Sequence, residues 1–155
     1  MDRNVIDRDE VLEFLNSLES GKARIVEKQG KAFVLNVENK QKILQVFATL
    51  ETQKHIGDMI YRDKIPLLEN IEHFRMVPGA IVRRGAHIEA DVVIMPSFVN
   101  IGTHIGSKTM IDSGVTVGSC VYIGKCCHIS SNVVLAGVLE PMGAMPVIIE
   151  DDVFI

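Results

Sequence analysis

The sequence predicts a mixed fold, in which a small, mainly helical α/β region over residues 1–70 precedes a parallel β-helix over residues 71–155. Two observations predict this division. Apolar residues follow helical and hairpin spacings up to about residue 70, and from Val77 onward they recur every six residues. The chain of 155 residues is 47% hydrophobic, which is enough to give both regions a core.

The first predicted element is a short amphipathic helix. Asp7 is placed as its N-cap and Glu10 as the capping-box partner, ahead of an apolar stripe that begins at Val11. Gly21 follows the stripe, and a glycine at this position ends a helix in the left-handed conformation without steric cost. The helix is therefore expected to end just before Gly21.

A hairpin and a second helix are predicted next. The turn "QGK" separates the strand candidates "ARIVEK" and "AFVLNV", which is typical of a β-hairpin. Four apolar residues on one face predict a helix over about residues 39–51: Ile43, Val46, Phe47 and Leu50. Residues 52–70 are expected to be irregular, because Gly57 and Pro66 interrupt them.

The six-residue period predicts the β-helix. A helix repeats every 3.6 residues and a strand every two, so neither explains apolar anchors at this spacing. In a hexapeptide β-helix, three short strands make one triangular coil of about 18 residues, and each coil buries its anchors against the next coil. Coils of this class are left-handed, against the usual crossover preference. The anchors are Val93, Val99, Ile105, Ile111, Val117, Ile123, Ile129 and Leu135.

Two interruptions of the period are visible. Val82 and Ile88 continue the series one residue out of phase, so a one-residue slip is predicted near Val93 and Ile94. Residues 136–147 form a loop excursion rich in Gly and Pro, which is expected either to border a binding cleft or to be a passive surface loop. The period then restarts at Ile149, and the chain is expected to end inside an incomplete coil.

Composition and charge exclude several classes of protein. The net charge is −4 and Lys and Arg form no basic face, so a nucleic-acid partner is not expected. No run of about 18 apolar residues could span a membrane, and the charged start "MDRNVIDRDEV" lacks the apolar stretch of a signal peptide. A cytoplasmic protein is therefore predicted.

The cysteines are predicted to be reduced thiols. Their number is odd, and the adjacent pair Cys126 and Cys127 fits neither a disulfide framework nor a CxxC metal motif. Together with Cys120 they are expected to serve as small apolar side chains, with redox or metal chemistry as the less favoured alternative.

Several short segments within residues 75–155 carry a family resemblance. The chain contains, in this order, the motifs "VPGAIVRRGA", "MPSFVNIG", "TMID", "TVGSC" and "GVLEP". In these motifs the chain resembles the tetrahydrodipicolinate N-succinyltransferases of the diaminopimelate route to lysine, which are hexapeptide-repeat enzymes. The upstream segments "LESGKARIVEK" and "YRDKIP" resemble the same family more loosely.

This resemblance implies an activity and a site. Succinyl-CoA is the implied co-substrate, ring-opened tetrahydrodipicolinate is the amino dicarboxylate acceptor, and the implied assembly is a homotrimer with sites between neighbouring solenoids. Arg75 matches the family's substrate-binding arginine, which suits a carboxylate because a guanidinium binds it with two donors. Asp112 matches the aspartate that binds the amino substrate and takes part in catalysis.

Without the resemblance, simpler interpretations of these residues stay open. Asp112 directly follows an anchor and fits an ordinary corner residue of the β-helix. Arg75 fits a solvated surface residue, and Arg83 and Arg84 fit corner residues that face solvent or a neighbouring subunit. His128 is either structural or, as in other hexapeptide acyltransferases, a general base.

No metal site and no permanently bound cofactor are predicted. A zinc site of the hexapeptide class needs three converging imidazoles. His87, His104 and His128 are separated by 17 and 24 residues, which does not resemble that pattern.

Two departures from the family pattern affect the predicted function. Ser113 and Gly114 follow Asp112 where relatives commonly have Thr-Trp, so the wall of the site lacks an aromatic residue. The family's second catalytic acid, a glutamate, and most of its CoA site lie beyond the equivalent of Ile155, so this chain alone is expected to have little or no activity. The alternatives are another hexapeptide N- or O-acyltransferase with His128 as base, and a non-catalytic trimeric scaffold.

Overall fold

The N-terminal region has two helices and a hairpin, as the sequence predicts. The computed structural model describes residues 7–56 and 59–155. Its first elements are α1 (Arg8–Glu19), β1 (Val26–Gln29), β2 (Ala32–Leu35) and α2 (Val37–Thr49), and β1 pairs antiparallel with β2. Asp7 caps α1 by accepting the Arg8 N–H at 2.7 Å, and Gly21 has a φ of +73°.

The prediction that residues 52–70 are irregular is wrong for residues 52–56 and 59–63 and is confirmed for residues 64–70, around Pro66, whereas Gly57 lies outside the described residues. β3 (Thr52–Ile56) and β4 (Met59–Asp63) form an antiparallel hairpin that pairs Thr52 with Asp63. Ile60 is 64% exposed and Tyr61 is 41% exposed, so these two residues of β4 bury little apolar surface. A strand that buries little needs no alternation of apolar and polar residues, and alternation is the signal by which a strand is recognised in a sequence.

The rest of the chain forms a parallel β-helix. Three four-stranded parallel sheets make its sides: sheet I in the order β5-β8-β11-β14, sheet II in the order β6-β9-β12-β15, and sheet III in the order β7-β10-β13-β16. The strands have two residues each: β5 (Arg75–Met76), β6 (Ile81–Val82), β7 (His87–Ile88), β8 (Val93–Ile94), β9 (Phe98–Val99), β10 (His104–Ile105), β11 (Met110–Ile111), β12 (Thr116–Val117), β13 (Tyr122–Ile123), β14 (His128–Ile129), β15 (Val134–Leu135) and β16 (Ile148–Ile149). The predicted fold class, a small α/β region followed by a β-helix of hexapeptide repeats, is confirmed.

The anchors fill the interior of the β-helix, with one correction. Ile105, for example, is fully buried and lies in register between Ile88 and Ile123. The assignment of Val93 as an anchor is wrong, because Ile94 is the fully buried residue and pairs with Ile111. The slip is a five-residue step from Ile94 to Val99. Val93 and Ile94 are both β-branched, so the sequence does not distinguish which one points inward.

The N-terminal region packs its apolar residues against the outside of the β-helix. Val11, Leu15 and Ile43 of the two helices share one buried cluster with Ile101 and Cys120, which lie at corners of the β-helix. Ile65 belongs to this cluster, whereas Leu68 packs against the core of the β-helix. The boundary between residues 70 and 71 stays a prediction.

The last strands continue the coil in the predicted register. Ile149 pairs with Ile123, and an isolated parallel bridge joins Phe154 to His128. Residues 136–147 connect β15 to β16. Within the described residues, no helix is both long and apolar enough to cross a membrane.

Candidate functional site

Asp112 lies at a corner of the β-helix, between sheets I and II. It directly follows the buried anchor Ile111 at the end of β11, and Gly114 turns the chain with a φ of +74°. The Asp112 N–H donates to the carbonyl of Ile129 in the next coil at 3.0 Å. The backbone of Asp112 is therefore fixed by the coil, and its side chain, 25% exposed, points away from the apolar interior.

Three donors surround the Asp112 carboxylate. Its Oδ1 accepts the Ser113 N–H at 2.6 Å, and its Oδ2 lies 3.5 Å from His128 Nε2. The Ser113 N–H is the main cause of a lowered Asp112 pKa; the Ser131 hydroxyl and His128 lower it further, while partial burial acts in the opposite direction. Asp112 is therefore a carboxylate at neutral pH, which is the state that binds an ammonium group.

Arg75 lies on sheet I, the sheet that also carries β11. It is exposed at the start of β5 and pairs with Val93, which in turn pairs with Met110. Among the described residues Arg75 has no ion-pair partner. Two strand spacings of about 4.8 Å separate β5 from β11, so Arg75 and Asp112 stand on the order of 10 Å apart along the stack. The structure does not bring these two predicted site residues into contact.

His128 stands directly beside Asp112 because of the coil length. It begins β14, pairs with Met110, and packs its ring against Phe154 at a centroid distance of 4.9 Å. The structure thus places His128 in contact with the predicted catalytic acid, which is compatible with either of its predicted roles.

Arg83 and Arg84 do not simply face solvent as predicted. Arg83 donates to Asp63 at 2.7 Å, and Arg84 donates to Glu19 at 2.8 Å. Arg84 also contacts Asn16. Both arginines therefore fasten the N-terminal region to the β-helix. The sequence did not predict this, because the partners lie 20 and 65 residues away.

A cluster of polar and aromatic residues on the outside of sheet III was missed. His87, His104 and Tyr122 occupy equivalent positions in successive coils, and their rings stack at 5.1 Å and 4.6 Å. His87 Nδ1 donates to the carbonyl of Glu19 at 2.8 Å, and Arg24 donates to His104 Nδ1 at 2.9 Å. The two histidines are 17 positions apart, which is about one coil, and this spacing is the sequence signal from which the stack could have been predicted.

The same cluster contains the group of residues best suited to hold a metal ion in the described part of the chain. Candidate ligand atoms of His87, Glu89 and His104 lie within 4.8 Å of one another. However, Arg24 is only a donor, so neutral His104 must accept at Nδ1 and carry its proton on Nε2. Nε2 is the nitrogen that faces Glu89, at 3.7 Å. With Arg24 bound, His104 therefore has no lone pair to offer a metal beside Glu89.

The cysteines are free thiols, and only two of them match the predicted role. Cys120 and Cys127 are buried, and burial raises the pKa of Cys120 to about 12. Cys126 is exposed at a corner with a φ of +55°, so its description as an apolar filler is wrong. Cys120 also lies at a corner, but it packs in the N-terminal cluster, whereas Cys126 belongs to neither buried cluster.

Comparisons with known proteins support the repeat and the family resemblance. Residues 102–137 match the family model described as bacterial transferase hexapeptide (six repeats). The chain is 45% identical over 159 residues to a 2,3,4,5-tetrahydropyridine-2,6-dicarboxylate N-succinyltransferase from Methylorubrum populi, and 47% identical over 161 residues to a protein of the same name from Paramagnetospirillum magneticum. Each alignment covers 96% of this chain. The resemblance to tetrahydrodipicolinate N-succinyltransferases that the sequence motifs indicated is confirmed.

These alignments also define how much of the relatives is represented. They cover 57% of each relative, so the chain spans about half the length of the curated relatives it matches. A crystal structure of a putative 2,3,4,5-tetrahydropyridine-2-carboxylate N-succinyltransferase from Campylobacter jejuni covers 86% of this chain and half of its own, with 16% identity and a TM-score of 0.46.

Proposed function

We propose that this chain belongs to an enzyme that transfers a succinyl group from succinyl-CoA to the amino group of ring-opened tetrahydrodipicolinate, in the cytoplasm. The observation that carries the proposal is 45% identity over 96% of the chain to a protein named for this activity. The hexapeptide repeat alone would not suffice, because one fold serves many functions.

Asp112 has the properties that the amino substrate requires. Its lowered pKa keeps it ionised at neutral pH, and its side chain is 25% exposed. In the proposed reaction the ammonium group of the substrate binds this carboxylate and loses one proton to it. The amine nitrogen then attacks the thioester carbonyl, the C–N bond forms and the C–S bond breaks, and the CoA thiolate leaves and takes up the second proton that the nitrogen loses.

Arg75 is assigned to a carboxylate of the substrate. Its guanidinium is exposed on sheet I and makes no ion pair within the described residues, so it is available to a ligand. A bidentate contact with a carboxylate would fix the orientation of the dicarboxylate. Arg75 and Asp112 of one chain are separated by two strands, so they are not required to bind the same substrate molecule. In a homotrimer with sites between neighbouring β-helices, Arg75 of one subunit and Asp112 of another would line the same site.

The proposal is tested by steady-state kinetics on a fusion of this chain with the C-terminal remainder of the Methylorubrum populi relative. Succinyl-CoA and an amino dicarboxylate such as 2-aminopimelate are supplied, and release of the CoA thiol is measured. A blank without succinyl-CoA corrects for the exposed thiol of Cys126. The fusion is expected to transfer succinate, and Asp112→Asn is expected to lower kcat/KM by about 100-fold or more.

Asp91→Asn is the matched control. Asp91 is also an exposed corner acid, and asparagine tolerates its φ of +61°. This variant is expected to keep the activity of the parent fusion. A parent that transfers nothing would refute the assignment, and equal losses in both variants would refute the role of Asp112.

The contact of 3.5 Å between His128 and Asp112 supports one alternative. In that alternative the enzyme is another CoA-dependent hexapeptide N- or O-acyltransferase, with His128 as the general base and Asp112 as its partner. His128→Ala would then abolish transfer while Asp112→Ala left most of it. The opposite result is expected from the proposed function.

A further inference from the structure

We infer that Lys40 is a positioning residue, which holds the loop of residues 136–147 in the shape that the proposed acyl-transfer site requires. The inference rests on the proposed function. Lys40 lies in the first turn of α2, in the N-terminal region, whereas the loop interrupts the β-helix between β15 and β16. The two segments are about 100 residues apart in sequence and meet only in the folded chain.

The Lys40 side chain is completely buried, at 0% exposure. Removing an ammonium group from water is costly unless its N–H groups find acceptors. Nζ of Lys40 donates to the carbonyl of Pro141 at 3.1 Å and to the carbonyl of Ala144 at 2.8 Å. Both acceptors belong to the loop, so the charge is stabilised only when the loop has this conformation.

An apolar side chain would satisfy the packing at this position at lower cost. The neighbouring inward residues of α2, Ile43 and Val46, are fully buried in the N-terminal cluster. A methionine in place of Lys40 would extend this apolar surface without desolvating a charge. The lysine instead restricts the conformation of the loop, because two hydrogen bonds from one ammonium group fit one arrangement of the two carbonyls.

The loop is fixed at its base and at its centre. Val138 N–H donates to the carbonyl of Ser119 at 3.2 Å, and Leu139 packs against the N-terminal cluster. Ala144 N–H donates to the Pro141 carbonyl at 3.0 Å and closes a tight turn. Lys40 binds the same Pro141 carbonyl from the protein side. These contacts leave the opposite side of the loop open to solvent.

The solvent side of the loop offers an apolar contact to the acyl donor. Met145 is 45% exposed, and a flexible, apolar methionine can pack against the extended arm of an acyl-CoA thioester. The loop also contains "GVLEP", one of the motifs that carry the family resemblance.

The first test measures hydrogen exchange of the loop amides in the 155-residue chain. Lys40→Met removes the two hydrogen bonds and keeps a side chain of similar length. Lys42→Met is the matched control, because Lys42 lies in the same helix, is 42% exposed, and among the described residues pairs with the exposed Glu38, at 2.9 Å. The amides of residues 139, 140 and 142–145 are expected to exchange about tenfold faster in Lys40→Met than in Lys42→Met. The amides of the β-helix strands should be unchanged in both variants, which confirms that both fold.

The second test separates loop positioning from general structural support. In the fusion protein, Lys40→Met is expected to raise the KM for succinyl-CoA by about tenfold and to leave kcat within about twofold. The KM for the amino dicarboxylate should not change. Lys42→Met should match the parent in all three values.

Each outcome decides one part of the inference. Equal exchange of the loop in the two variants would show that Lys40 does not position it. Faster exchange with an unchanged KM for succinyl-CoA would refute the role in binding the acyl donor, while leaving the proposed function intact. A parent fusion without activity would refute the proposed function and the donor role together, and the exchange comparison would still decide whether Lys40 holds the loop.

Discussion

The β-helix and the N-terminal region bury their aliphatic side chains in different ways. In the β-helix each inward residue packs on its equivalent one coil away, as Ile105 does between Ile88 and Ile123. In the N-terminal region the helices pack on each other and also on Ile101 and Cys120, which belong to corners of the β-helix. The core of the β-helix is therefore made by repetition, whereas the N-terminal core needs a partner surface.

This difference implies that the two regions depend on each other unequally. The anchors of the β-helix pack mainly on the anchors of neighbouring coils, so its stability should be distributed along the stack. The N-terminal region instead relies on one docking surface, where Arg24, Glu19 and Lys40 supply the polar contacts. Substitutions in the stack and at the docking surface should therefore differ in what they unfold.

The largest effect is expected from an anchor in the stack. Ile105→Ala removes part of a side chain that is fully buried between two coils, and leaves a cavity. The free energy of unfolding should fall by about 2–5 kcal/mol. Urea denaturation followed by far-UV circular dichroism measures this loss, with loss of signal from both regions together.

Val134→Ala is the control for the anchor. Val134 points outward on sheet II and is 69% exposed, so its truncation should change the free energy of unfolding by less than about 0.5 kcal/mol. A comparable loss from the two substitutions would contradict the description of the core as one inward residue per hexad.

A smaller effect is expected at the docking surface, from Gly102→Ala. Gly102 has a φ of +75°, and an added Cβ would lie 2.8 Å from Ile43 Cδ1 and 3.2 Å from Cys120 Sγ. The substitution should therefore destabilise docking of the N-terminal region by about 1–3 kcal/mol, from overpacking and an unfavourable φ together. Hydrogen exchange should show faster exchange in α1 and α2 and little change in the strands of the β-helix.

Gly30→Ala isolates the packing contribution. Gly30 has a similar φ of +64°, but nothing lies within 4 Å of an added Cβ. It should show only the cost of the backbone conformation, about 1 kcal/mol. If Gly102→Ala lowers the free energy of unfolding no more than Gly30→Ala does, the result would contradict the close packing of the two regions at Gly102.

The smallest of the three effects is a pH dependence that arises at the docking surface. Burial, with the positive charges of Arg24 and Lys125 and the neighbouring His87, lowers the pKa of His104 to about 3. The unfolded chain takes up a proton at this histidine below its ordinary pKa of about 6.5, while the folded chain does not. Stability is therefore full above that pH and falls as the pH drops toward 3, by about 1.4 kcal/mol at pH 5.5.

Urea denaturation at pH 7.5 and pH 5.5 measures this change. His104→Gln keeps a polar group that can accept from Arg24 and does not titrate, so it should reduce the difference between the two pH values. His87, whose pKa burial also lowers, would account for the remainder. An unchanged difference in His104→Gln would show that other groups cause the pH dependence.

Much of the β-helix could be predicted because its determinants are local and periodic. The anchors from Val99 to Leu135 were identified correctly, since a six-residue period places one residue of every hexad inside. The error at Val93 arises where this period is interrupted. At a one-residue slip the period does not determine which of two adjacent β-branched residues points inward. The hairpin of β3 and β4 was missed because it carries no apolar alternation.

The contacts of the candidate site could be predicted less well. The resemblance identified Asp112 and Arg75 as candidates, and the coil length then accounts for the position of His128 beside Asp112. The stack of His87 and His104 could have been found from their separation of one coil. The contact of Lys40 with Pro141 and Ala144 has no signal in the sequence, since no period relates α2 to the loop.

The sequence by itself determined the β-helix, the two helices and the first hairpin, because each follows from the spacing of neighbouring residues. Only the tertiary structure decided how the N-terminal region docks on sheet III and its corners, and which polar residues that docking covers. The physical reason is that the burial of Lys40 and His104 and the partial burial of Arg84 depend on partners far away in the chain. In the sequence alone such residues are indistinguishable from solvated side chains, because their hydrogen-bond partners are adjacent only in the folded chain.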